Sequence, residues 1–247
     1  MNITCSMAVS SKSGNTKLVA DALQRELSDA GVRFVASFDL DAADAESAQS
    51  EGAEEAEDVE KAGGVESAKS AEDAENGQGA NAAASVPTVS VPAALASAAS
   101  VPSVSAPSAS TLAAQAGEAD VVFVGFWCDK GSCSPAVQHF LQELAGKRVF
   151  LFGTCGFGES DEYFAQILDR VRAYLPADAQ CIGGAMCQGK MGVGVKRRYE
   201  GMLEKDPENA QARMLIDNWN KAQSHPNEGD FARIAAAAKE AIASAAE

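Results

Sequence analysis

A run of 77 residues without one aromatic side chain, from Asp41 to Gly117, constrains this chain more than any other feature. All fifteen aromatic residues lie outside it. Inside, Asp, Glu and Ala give way to Ser, Ala, Val and Pro, with Ser85-Val86-Pro87, Ser90-Val91-Pro92 and Ser100-Val101-Pro102 repeating one short theme. Fixing a residue's backbone costs about 1 to 2 kcal/mol, which only buried apolar side chains offset. With Leu95 and Leu112 as its only aliphatics larger than valine, the run is expected to be a disordered insertion. Loop-closure entropy grows only logarithmically with length, so a surface connection tolerates such an insertion. Residues 1–40 and 118–247 therefore read as one domain, and removal of residues 45–112 is expected to leave its folding nearly unchanged.

Charge narrows the classes of partner. The 247 residues carry 20 basic and 35 acidic side chains, a net charge of −15. The insertion holds 13 of the acids against Lys61 and Lys69, leaving −4 on the other 170 residues. Such a chain repels phosphate polymers and anionic lipid surfaces, which excludes a general nucleic-acid or membrane-surface binder. Met1-Asn2-Ile3-Thr4 has no basic patch leading into a long apolar run, so no secretory signal is read. Pro87, Pro92, Pro102 and Pro107 rule out a bilayer span in the uncharged stretch 77–117, and a cytoplasmic location is expected. The six cysteines are irregularly spaced, without close C-x-x-C pairs, so free thiols and no metal are expected.

With the flanks joined, strand and helix patterns alternate. Ile3, Cys5, Met7 and Val9 alternate with smaller partners, Ser10 to Asn15 is a turn, and Leu18, Val19, Ala22, Leu23 and Leu27 recur at helical spacing. Val32 to Phe38 reads as a second strand, Val121 to Trp127 as a strand buried on both faces, and Val149 to Thr154 and Cys181 to Met186 as two more. Ser134 and Pro135 suit the cap and first position of a helix to about Ala145; another runs from about Asp161 to Leu175. The order predicts a doubly wound α/β fold on a five-stranded parallel sheet, interrupted between strands 2 and 3. Helical segments near Lys196–Lys205, Pro207–Ala222 and Glu228–Ala246 are expected to pack on the sheet or its edge.

In an open parallel sheet, ligands bind beyond the carboxyl ends of the strands, so the loops after strands 1, 3 and 4 should converge. The first loop, Ser10-Ser11-Lys12-Ser13-Gly14-Asn15-Thr16, opens a helix whose amides and hydroxyls can hold a phosphate. It fails the Mg-nucleotide loop pattern, because Val9 and Asn15 stand where Gly and Lys are required. Taken alone, a Ser/Gly/Asn cluster reads equally as an ordinary turn.

Ser11-Lys12-Ser13-Gly14-Asn15-Thr16 resembles the phosphate loop of the flavodoxin-like family, T/S-x-T/S-G-x-T, which holds the phosphate of FMN. Val124-Gly125-Phe126-Trp127-Cys128-Asp129-Lys130-Gly131 is similar to the third-strand loop of small bacterial members, and Phe152-Gly153-Thr154-Cys155-Gly156 to their fourth-strand loop. A weaker echo falls at Ser224-His225-Pro226-Asn227-Glu228. The resemblance implies FMN as cofactor, its phosphate on residues 11–16 and its ring flanked by Phe126, Trp127, Thr154, Cys155 and Gly156. Trp127 is the first candidate for a stacking wall, and Phe157 and Tyr163 are weaker ones. Some relatives serve beside bilirubin reductase in gut bacteria, a role the resemblance permits. The 77-residue insertion departs from the family pattern.

The resemblance implies an FMN-binding electron carrier working with a redox partner protein, such as a reductase. Two other classes stay open: an NAD(P)H-dependent FMN reductase acting on a small substrate, and a flavin-free interaction module. His139 and His225 are the only histidines, and no Ser/His/Asp set is arguable.

Overall fold

A computed structural model describes residues 3–41, 108–158 and 160–245. Five strands, β1 (Thr4–Val9), β2 (Arg33–Asp39), β3 (Val121–Trp127), β4 (Arg148–Cys155) and β5 (Gln180–Gln188), form one sheet in the order β2-β1-β3-β4-β5. Every neighbouring pair is parallel. This is the doubly wound α/β sheet expected from the alternating pattern.

The strands differ as their positions require. In β3 the residues Val121 to Phe126 are all buried, as befits a strand covered on both faces. β2 lies at the edge and exposes every second residue, Val35 among them. Large rings cross the central strands at two glycines. A Cβ on Gly125 would lie 2.4 Å from the Phe152 ring, and one on Gly153 would lie 2.8 Å from the Phe126 ring, so both positions need the bare backbone.

Helices cover both faces. On one, Val19 and Leu23 of α1 (Asn15–Asp29) and Ile234 and Ala238 of the last helix (Glu228–Ala245) pack on Met7, Phe123, Phe150 and Phe152. On the other, Val137 and Phe140 of α3 (Pro135–Gln142) and Ile167 and Val171 of α4 (Asp161–Arg172) pack on Val122, Val124 and Leu151. Ser134 and Pro135 stand at the cap and first turn of α3 as expected, although α3 stops three residues short of Ala145 and α4 three short of Leu175. Both end in turns closed by short backbone hydrogen bonds, such as Leu144 N–H to Leu141 O and Leu175 N–H to Arg172 O.

The segment between β2 and β3 falls mostly on residues 42–107, so its expected disorder lies outside the described residues. Its last residues are part of the fold. Ala109–Ala116 form a helix, α2, whose N-cap Ser108 accepts from the Thr111 amide at 3.3 Å. Leu112, Ala113 and Ala116 are buried, and the Ser6 hydroxyl donates to the Ala116 carbonyl at 2.9 Å. The lack of large apolar side chains hid this helix, because one leucine and two alanines suffice where neighbouring elements supply the rest of the contact. A deletion running as far as residue 112 therefore cuts into the core, contrary to the sequence expectation.

After β5, α5 (Val193–Lys205) and α6 (Ala210–Ala222) precede the last helix, α7. Of the three helices expected on the sheet or its edge, α7 lies against β5 and α1, while α5 and α6 pack chiefly on each other and α6 reaches the edge strand β5 through Asn218 and Gln188. Among the described residues no helix is long and apolar enough to cross a membrane.

Two outcomes follow from this packing. Leu112→Ala is expected to lower the unfolding free energy by about 2 to 5 kcal/mol in a urea titration, the usual range for a buried leucine. Burial pushes the thiols of Cys5 and Cys187 from near 9 up to about 12. Between those values the unfolded thiols lose protons that the folded ones keep, so stability falls as pH rises through that window. The decline measured by denaturation from pH 8 to 11 should be shallower in Cys187→Ala.

Candidate functional site

The β1–α1 loop leaves the end of β1 and turns into α1 at Gly14, whose φ of +83° is the left-handed conformation that glycine adopts without strain. Gly14 is the N-cap and has no side chain to cap the helix. The loop is braced from several sides. Asp41, just beyond β2, accepts from the Ser10 hydroxyl at 2.5 Å and the Ser11 amide at 2.6 Å. The Ser11 hydroxyl accepts from the Lys17 amide at 3.1 Å. Asn15, buried, donates through Nδ2 to the Ser13 hydroxyl and the Lys190 carbonyl, both at 2.9 Å. Thr16 is fully buried, and its hydroxyl lies 3.0 Å from that of Thr154.

These bonds divide the loop. The Ser10 and Ser11 amides are taken, one by the Gly125 carbonyl and the other by Asp41. Among the described residues no hydrogen bond reaches the amides of Lys12, Ser13 or Gly14. Three backbone donors at the positive end of α1, with the Ser13 hydroxyl already accepting from Asn15 and so oriented to donate elsewhere, form a cradle suited to an anion. A phosphate fits this donor set.

The three loops do converge. Lys12 places its Nζ 5.1 Å from the centre of the Trp127 ring, joining the first loop to the end of β3. Trp127 is paired across the ladder with Thr154, and the ladder continues with the Cys128 amide donating to the Thr154 carbonyl at 2.8 Å. Trp127 is half-buried at the strand end. Phe126 is not at the surface of the crevice: it is fully buried in the core facing Gly153, because successive strand residues point to opposite faces. Thr154 is buried, and its side-chain role is the hydrogen bond to Thr16.

Between the β3–α3 and β4–α4 loops lies a cavity of about 260 Å³. Cys128 to Gly131 form one side and Cys155, Gly156 and Phe157 another. Tyr163 stands behind it, its hydroxyl 3.8 Å from the Cys155 Sγ. The first side ends in a tight turn with Lys130 at φ +47° and Gly131 at φ +81°, closed by paired backbone hydrogen bonds between Asp129 and Ser132 and by Arg170 donating to the Gly131 carbonyl at 3.1 Å. A non-glycine residue in that conformation is uncommon and is held there by its surroundings.

The third wall is absent from the sequence reading. Met191, Val195, Arg198 and Tyr199, on α5 and the segment before it, complete the cavity. The helix pair is tied to the β4–α4 loop through one carbonyl: Gly156 O accepts from Gln188 Nε2 at 2.9 Å and from Asn218 Nδ2 at 3.1 Å, while Gln188 also donates to Asn218 Oδ1 at 3.0 Å. A Cβ on Gly156 would lie 2.8 Å from Met191. The only hint in the sequence was Val195 and Tyr199 at helical spacing beside the basic run Lys196-Arg197-Arg198. In a chain of net charge −15, this cavity sets Lys130 and Arg198 against Asp129 alone.

The Ser224–Glu228 stretch forms the turn from α6 into α7, where His225 Nδ1 lies 2.6 Å from the buried carboxylate of Asp230 and the Asn227 amide donates to that carboxylate at 3.0 Å. These bonds close the turn and start α7. Among the described residues no group of three or more His, Cys, Asp or Glu is placed to hold a metal ion.

A doubly wound parallel sheet with an anion cradle after its first strand and a crevice between its third and fourth strand loops defines a flavodoxin-like domain. The family model for the flavodoxin domain matches residues 94–239, more than half of the chain, and the protein belongs to that family. It is a flavin-binding protein of redox type. The match begins after the β1–α1 loop, so the reading of that loop rests on its own geometry.

Among curated proteins, the chain is 37% identical over 112 residues to the flavodoxin-like domain-containing protein BilS of Clostridioides difficile (strain CD3), covering 45% of this chain and 64% of that protein. It is also 37% identical over 121 residues to BilS of Clostridium symbiosum (strain WAL-14163), covering 47% and 63%. The chain thus spans a little under two thirds of either relative's length. Among solved structures, two-electron reduced Megasphaera elsdenii flavodoxin is similar over 88% of this chain and 99% of its own, with 15% identity and a TM-score of 0.35.

Asn218→Ala removes one donor and one acceptor from the Gly156–Gln188 junction. It is expected to cost about 1 to 3 kcal/mol and to speed amide exchange in α6 well before exchange in the central strands, measured by hydrogen exchange.

Proposed function

We propose that this protein binds FMN non-covalently and passes electrons to or from a partner reductase. The observation that carries the reading is the β1–α1 loop, where the amides of Lys12, Ser13 and Gly14 are left without protein acceptors among the described residues while the rest of the loop is braced around them. A phosphate dianion at that place meets three amides, the Ser13 hydroxyl and the positive end of α1. Asp41 repels it and so discriminates against a second anionic group close to Ser11.

When bound, the flavin supplies the one- and two-electron chemistry. The chain's own residues bind, shape and exclude water. Trp127 at the end of β3 and Phe157 in the β4–α4 loop offer apolar walls for the ring. Met191, Val195 and Tyr199 close the far side and keep solvent from it. Lys130 and Arg198 place positive charge where the ring gains electrons, which favours its reduced state, against the general effect of an acidic chain. A location in the cytoplasm and a protein partner, with neither nucleic acid nor membrane surface, complete the reading.

A visible-absorbance titration with FMN and with riboflavin, which lacks the phosphate, tests it. FMN is expected to bind with a shifted spectrum, and riboflavin at least tenfold more weakly. No spectral change with FMN would overturn the proposal. Ser13→Ala should weaken FMN binding by about 1.5 to 3 kcal/mol, the range for a hydrogen bond to a charged group, with little effect on riboflavin. Steady-state consumption of NAD(P)H by the purified protein alone would instead select a self-sufficient FMN reductase.

A further inference from the structure

Six cysteines occupy this chain, and burial raises the thiols of four of them. Burial pushes Cys5 and Cys187 up to about 12 and Cys133 to about 11, and raises Cys181 as well. Thiols held at about 11 or 12 do not ionise near neutral pH and are poor nucleophiles. The remaining two, Cys128 and Cys155, stand together.

Their proximity follows from the sheet. Trp127 pairs with Thr154 in the parallel β3–β4 ladder, and the Cys128 amide extends that ladder by donating to the Thr154 carbonyl at 2.8 Å. Cys128 and Cys155 are the residues that directly follow the Trp127–Thr154 pair along the chain. Laterally paired residues on adjacent strands have backbones about 5 Å apart and side chains on the same face. Both residues line the same cavity. A disulfide needs Cα atoms about 4.4 to 6.8 Å apart and Cβ atoms about 3.5 to 4.5 Å apart, so closing the bond draws the two side chains together where the strands give way to loops.

We infer that Cys128 and Cys155 form a reversible dithiol–disulfide pair that bridges the β3–α3 and β4–α4 loops and reacts with low-molecular-weight disulfides such as glutathione disulfide. Their unequal burial sets the order of events. Cys128 is half-buried, directly before the tight turn at Lys130 and Gly131, and Cys155 is 7% exposed. The Cys128 thiolate attacks one sulfur of glutathione disulfide, forming a mixed disulfide and expelling one glutathione thiolate. The Cys155 thiolate then attacks the Cys128 sulfur, forming the intramolecular bond and expelling the second. Two protein thiols lose two electrons and their two protons, and one glutathione disulfide becomes two glutathione thiols. The Tyr163 hydroxyl, 3.8 Å from the Cys155 Sγ, can donate to the second thiolate as it forms.

The inference does not depend on flavin binding, because reactants and products are protein and glutathione alone. The full-length protein, reduced and desalted, is exposed to glutathione disulfide. Its thiols are counted after denaturation with Ellman's reagent, and the bonds are located by peptide mass mapping. Loss of two of the six thiols together is expected, joined as Cys128–Cys155 in a monomer, at least tenfold faster than loss of any other. Cys155→Ser should accumulate glutathione on Cys128, and Cys128→Ser should take up little. Six thiols retained in the wild-type protein, a bond joining other cysteines, or a lasting glutathione adduct on wild-type Cys128 would each overturn the assignment. The same experiment repeated with FMN present separates the two proposals: bridging without any flavin spectrum leaves this one standing and removes the other.

Discussion

The parallel pairing of β1 with β3 is the constraint on which everything else rests. These strands are more than a hundred residues apart in the chain, yet Cys5 pairs with Val121 and Val9 with Gly125, and the Ser10 amide completes the series on the Gly125 carbonyl. Parallel strands put like ends together, so the loop after β1 meets those after β3 and β4 beyond one edge. The anion cradle and the crevice are therefore two parts of one surface. The pairing also makes a long connection between β2 and β3 tolerable, since the register is held by the sheet and not by the linker.

The site is held chiefly by polar contacts that reach across elements. Asp41 from the end of β2 braces the first loop, Asn15 ties it to the Lys190 carbonyl, and Gly156 receives Gln188 and Asn218. Each of these bonds joins a loop of the site to a different element, so the loops are shaped before any ligand arrives. Preorganisation of this kind lowers the entropy lost on binding. It also explains why small residues line the loops, since Gly156 must let Met191 approach.

Charge acts on two scales. The whole chain is acidic, which disfavours polyanionic partners at long range. At physiological salt, screening confines such effects to about 8 Å, and within that distance Lys130 and Arg198 dominate the cavity wall over Asp129. Net charge is thus a poor guide to what this crevice accepts.

Local pattern was enough to reveal the strands, the order of the helices and the hydroxyl-rich turn at residues 10–16, because periodicity and turn chemistry act within a few residues. It also located the β3 and β4 end loops, since the carboxyl ends of parallel strands share one side. Three things had to wait for tertiary structure. Phe126 and Trp127 are neighbours in sequence, but the pleat sends one into the core and leaves the other at the rim. Helix α2 was concealed in an alanine-rich stretch, because its stability comes from the sheet beneath Leu112 and not from its own composition. The wall supplied by α5 depends on which elements become neighbours, a decision made by long-range packing that no local window contains.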